Sequence, residues 1–118
     1  MEVIVLDQIL SLDTAPVHVA PGGSMLCTIS GKAADVASLL RALRGSIAFG
    51  MVSFKTVAKD AKLVEAVVYF GLADADDYRA AVDSCSGCNI STKEIDEGTE
   101  LTGLSMRARN QIINALDA

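Results

Sequence analysis

Between residues 25 and 95 the spacing of apolar side chains switches repeatedly between the strand period and the helix period. That order restricts the fold more than any other feature. Residues 25–30, MLCTIS, are apolar and partly β-branched, which predicts a strand. After Gly31, the residues Ala33, Val36, Ala37, Leu40 and Leu43 recur at helical spacing to about residue 44. Arg41 and Arg44 fall in its last turn, where positive charge suits the helix dipole, and Gly45 reads as a left-handed stop. Residues 46–54, SIAFGMVSF, set Ile47, Phe49 and Met51 on one face and Ala48, Gly50 and Val52 on the other, as a strand would. The polar stretch 55–62, KTVAKDAK, reads as a loop. Residues 63–72, LVEAVVYFGL, are apolar on both faces except at Glu65 and read as a central strand. Asp74 reads as the cap of a second helix, with Asp76 and Asp77 in its positive first turn. Tyr78, Ala81, Val82 and Cys85 form that helix's buried stripe. Gly87 stops it, and NISTKEI at 89–95 reads as a more polar edge strand.

The order β-α-β-β-α-β is the split βαβ arrangement. The expected fold class is α/β, more narrowly α+β: a ferredoxin-like βαββαβ sandwich, with an antiparallel sheet and both helices on one face. The other face then needs a cover, from segments 1–23 and 104–117 or from a partner. Residues 1–118 are expected to form one domain with its core at 25–95. Residues 1–24 are an N-terminal extension, in which EVIVLDQILSL suits a strand or helix piece. Asp13–Gly23, with Pro16, Pro21 and Gly22-Gly23, reads as an exposed connection. Residues 96–118 supply an acidic link, DEGTE, and a C-terminal helix opened by Ser105, with Ala108, Ile112 and Leu116 on its apolar face.

Composition narrows the function. Of the 118 residues 51% are hydrophobic but only 4% aromatic, with no Trp, so the core rests on aliphatic side chains. The formal charge of -5 argues against nucleic acid, which needs a basic stripe to neutralise phosphates. No apolar run approaches the roughly 18 residues of a membrane helix. The apolar N-terminus lacks a basic stretch and carries Glu2 and Asp7, unlike a signal peptide, so a cytoplasmic protein is expected. Three cysteines, an odd number, do not suggest a disulfide framework.

The piece GSIAFGMVSF followed by VEAVVYFGLADADDYRAAVD resembles the bacterial microcompartment shell domain. Asp74 matches that family's acidic step, and Asp77-Tyr78-Arg79-Ala80-Ala81-Val82 matches its Ala-rich helix. The likeness covers roughly residues 30–95. Ala73 stands where the family has Gly, KTVAKDAK replaces a shorter Gly-rich pore loop, and the edge lysine is missing in register, with Arg41 and Arg44 nearby. The chain is therefore similar to a divergent member, and its N-terminal piece would suit the permuted subgroup. The resemblance implies a structural protein and not an enzyme. It implies a homohexamer with a central pore that tiles with other shell proteins into a compartment shell. It further implies an iron–sulfur cluster at the pore in one subgroup, the glycyl-radical type, to which a Cys pair draws attention. On this resemblance Lys55, Lys59, Asp60 and Lys62 are the pore-lining candidates, and a ring of Lys would favour anionic solutes.

The residues that carry chemistry are few. Cys85 and Cys88, in DSCSGCNIS, are the first metal candidates, with Cys27 a distant third. The pair follows a helix and sits at its negative end, which opposes thiolate formation and a thioredoxin-like role. A closed zinc or cluster site needs about four ligands, so one chain is short unless neighbouring copies share the site. The bland alternative makes Cys85 and Cys27 core residues and Cys88 a small turn or strand residue. His18 has no carboxylate-Ser or carboxylate-Cys context and reads as a surface or packing residue, and no catalytic residue is expected. The rival reading is an ACT-like regulatory module, dimeric, with a small ligand at the Ser30-Gly31-Lys32 turn.

Overall fold

The structure is a computed structural model that describes residues 14–58 and 62–116. Its main sheet holds β2 (Ser24–Lys32), β3 (Gly50–Ala58), β4 (Leu63–Gly71) and β5 (Cys88–Ile95) in the order β3-β4-β2-β5. All neighbours are antiparallel. This is the strand order that split βαβ units produce, and the chain is α+β as its periodicity predicts. Among the described residues three α-helices accompany the sheet: α1 (Ala33–Ser46), α2 (Ala75–Ser84) and α3 (Met106–Leu116). A separate two-stranded ribbon pairs β1 (Thr14–Val17) with β6 (Leu101–Leu104).

The register explains the core. Cys27 lies opposite Val68 and Ile29 opposite Ala66. All four are fully buried, with Val64 and Phe70 on the same face of β4. Against them α1 packs Val36, Ala37, Leu39, Leu40 and Leu43, and α2 packs Tyr78 and Ala81. A truncation such as Leu40→Ala should therefore cost about 2–5 kcal/mol. β4 is an interior strand, as expected, but its burial alternates strictly. Leu63, Glu65, Val67 and Tyr69 lie only half-buried on the face away from the helices.

Several boundaries differ from expectation. Gly45 does not end α1. The helix runs to Ser46, whose hydroxyl donates to the Ala42 carbonyl at 3.0 Å, and it stops because Ile47 turns extended to enter the core. The strand expected over 46–54 starts later, at Gly50, although Ile47, Phe49 and Met51 are buried as predicted. The first half of the expected loop 55–62 is strand, since β3 continues to Ala58. In it Lys55 and Thr56 keep pairing with Glu65 and Val64, so polar side chains there mark a solvated strand and not a loop. Asp74 stands at the head of α2 but makes no side-chain capping bond; a 3-10 turn, Leu72–Asp74, leads in instead. The connection expected over residues 13–23 contains β1, and β6 was not anticipated. The suggested strand or helix piece over residues 2–12 lies outside the described residues.

The largest correction concerns α3. It opens as predicted, with the Ser105 hydroxyl accepting the Ala108 N–H at 3.1 Å. It does not cover the free sheet face. Ala108, Ile112, Ile113 and Leu116 join the same core cluster as α1 and α2, so all three helices share one side. The ribbon lies against β3 instead, where Gly103 lets backbone approach Met51 and Val52. The result is a slab 40 × 33 × 21 Å in extent.

Candidate functional site

The cysteines occupy three different settings. Cys85 is the C-cap of α2, where its N–H bonds to the Val82 carbonyl at 3.2 Å. Gly87, with φ 92°, then reverses the chain so that Cys88 opens β5 opposite Gly31. Both thiols are half-buried and free. The Ser84 hydroxyl stands 3.8 Å from the Cys85 sulfur. Gly87 is needed twice over. A side chain there would be strained, and its Cβ would come within 2.6 Å of the Asp35 carboxylate.

That carboxylate shapes the chemistry. Burial pushes the Cys88 thiol above its ordinary value, and Asp35 and then Cys85 push it further. A thiolate is what both a nucleophile and a metal ligand require, and it is disfavoured here. Cys27 is fully buried on the helix side of β2, and burial raises its thiol too, only partly offset by the Tyr78 hydroxyl beside it. The Tyr78 hydroxyl has no partner at hydrogen-bonding geometry, yet it is close enough to Cys27 for the two to bias each other's titration. Cys27 does not join the pair as a third ligand. Among the described residues no three His, Cys, Asp or Glu side chains stand where they could hold a metal ion.

The other candidates are dispersed. Lys55 sits exposed on β3 and pairs with Glu65 at 3.5 Å, and Lys62 is an exposed hairpin residue with φ 52°. Lys59 and Asp60 lie outside the described residues. His18 is exposed just after β1. At the Ser30-Gly31-Lys32 turn the first helical N–H, of Ala33, is already donated to the Lys62 carbonyl at 2.8 Å. Asp35 adds negative charge to the same turn of α1, so the place expected for an anionic ligand is poorly suited to one.

Sequence reasoning missed Arg109. It is 7% exposed and donates to the Phe49 carbonyl at 2.7 Å, while its guanidinium lies 4.7 Å from the Phe49 ring centroid. Its remaining bonds go to Asn110, a neutral group. A charged residue on the buried stripe of α3 was the available signal. Two open grooves lie on the described surface. One of about 430 Å³ runs between α1 and α2, lined by small residues and Asp77; the other, of about 510 Å³, follows the ribbon beside Glu100. Each offers a single carboxylate, Asp77 in the first and Glu100 in the second.

No family model matches this chain, and neither does any curated protein or solved structure. No helix among the described residues is long and apolar enough to cross a membrane.

Proposed function

We propose that this chain is a structural subunit that works by assembly, as a cyclic hexamer in the shell of a bacterial microcompartment. The observation that carries the reading is shape. A slab only 21 Å thick, with the three described helices on one side and a sheet bare of described chain on the other, suits a tile better than a ligand-enclosing domain. That face is lined by Leu26, Thr28, Val67 and Tyr69, all half-buried. The resemblance of residues 30–95 to the shell domain points the same way, and the split βαβ order is compatible with it.

On this reading the β3–β4 hairpin, with Lys55 and Lys62, borders the central pore. Within one chain the cysteines fit a closed metal or iron–sulfur site poorly, because two thiols are too few and Asp35 opposes the Cys88 thiolate. A shared centre remains part of the proposal only through the Cys85/Cys88 pairs of several copies.

Light scattering and native mass spectrometry of the purified chain test the proposal. Six copies per particle is the expected result. A monomer at high concentration sinks it. A dimer whose melting temperature rises with added amino acids would move the chain to the ACT-like reading.

A further inference from the structure

The two edges of the main sheet are treated differently. β3 carries register irregularities between Met51 and Ser53 and between Thr56 and Ala58, and β6 lies against it. Bulges and cover are the usual devices that stop an edge from pairing. β5 has neither. Its register with β2 runs unbroken from Gly31↔Cys88 to Ser24↔Ile95, and CNISTKEI contains no Pro and no Gly. Among the described residues nothing pairs with its outer edge. Asn89, Ser91, Thr92, Lys93 and Glu94 are exposed, so side chains do not cover it either.

We propose that the β5 edge pairs antiparallel with the β5 edge of a second copy, about a two-fold axis at Ser91. A two-fold joins both open edges at once and leaves neither exposed, whereas a foreign peptide would exchange one open edge for another. Charge selects the axis. With the axis at Ser91, Lys93 faces Asn89 of the second copy, and the two lysines stand four residues apart, about 14 Å along the strands. With the axis at Thr92 they stand two residues apart, about 7 Å, inside the physiological Debye length of about 8 Å. With the axis at Ser91, Glu94 faces Cys88, so no like charges meet directly. Each copy carries a formal charge of -5, so the contact strengthens as salt is added.

The inference deepens the assembly reading but stands apart from it. In a tiling of rings, two-fold contacts join one ring to the next, and β5 makes that contact. If the chain forms no ring, the same contact makes a dimer.

The test is charge reversal at an exposed position, which leaves the core untouched. Ser91→Lys and Ser91→Glu each place like charges across the axis, and the association is expected to be lost in each. A one-to-one mixture of the two variants places Lys opposite Glu and restores it. If rings form, each variant keeps the ring mass and loses the larger assemblies; if they do not, wild-type dimers become monomers. Thermal unfolding of both variants at the wild-type temperature excludes simple misfolding. Single variants that associate like the wild type, a mixture that stays apart, or a wild type that shows neither ring pairs nor dimers overturns the proposal.

Discussion

Arg109 holds Phe49 in two ways at once, donating to its carbonyl at 2.7 Å and placing its guanidinium over its ring. The contact ties α3 to the segment just before β3 and so fixes α3 on the helix side of the sheet. Burial and the nearby Arg44 both lower the Arg109 pKa, yet a guanidinium remains charged at neutral pH. Removing it with Arg109→Ala leaves the buried Phe49 carbonyl without its donor. A loss of about 2–4 kcal/mol is expected, measured by urea denaturation. Arg109→Lys should recover only part of it, since Lys cannot reproduce the fork to Asn110. An Arg109→Ala variant as stable as wild type would show that α3 is held otherwise.

Tyr69 and Gly50 are cross-strand partners, and the Tyr69 ring occupies the space where a Cβ on Gly50 would lie. Gly50→Ala should cost about 1–3 kcal/mol through that collision. Paired with Tyr69→Ala the cost should shrink, because the clashing ring is gone. A double-mutant cycle with no coupling would contradict this account.

Alkaline stability follows from the buried groups around Cys27. Its thiol and the Tyr78 phenol are both raised, mainly by burial. A raised acid pKa means that the folded state holds its proton longer than the unfolded state does. The stability they contribute is full below the ordinary thiol value of 9.0 and falls as pH climbs through the raised folded values. Denaturation midpoints from pH 8 upward should decline, and the decline should be shallower in Tyr78→Phe. That variant keeps the stacking on Phe70, at 4.6 Å between ring centroids, and removes a hydroxyl without a good partner. At neutral pH it should therefore change stability by no more than about 1 kcal/mol.

Visible absorption of anaerobically purified protein tests the cysteine pair. If neighbouring copies share a cluster, the protein is coloured and Cys88→Ser is colourless at unchanged particle mass. Colour that survives Cys88→Ser rules the pair out as its holder.

The strand and helix order was legible because each element has a strong period: Val64, Ala66, Val68 and Phe70 alternate, and Val36, Ala37, Leu40 and Leu43 recur. Boundaries were less so. Polar Lys55 and Thr56 concealed a strand that is stabilised by cross-strand neighbours, which no local window contains. Gly45 resembled a stop, but the stop is set by where Ile47 must be buried. β1 and β6 are short and pair across 83 or more intervening residues (Val17↔Leu101), beyond the reach of local patterning. In the candidate site, Cys85 and Cys88 were visible from spacing alone. Asp35, which raises the Cys88 thiol, arrives from another helix and could not be seen in the sequence.

Particle mass in solution tests the central claim most directly. Light scattering over a range of concentrations should give six times the mass of one chain, with that ring mass retained in Ser91→Lys. A particle that remains a single chain at high concentration would contradict the assembly reading outright.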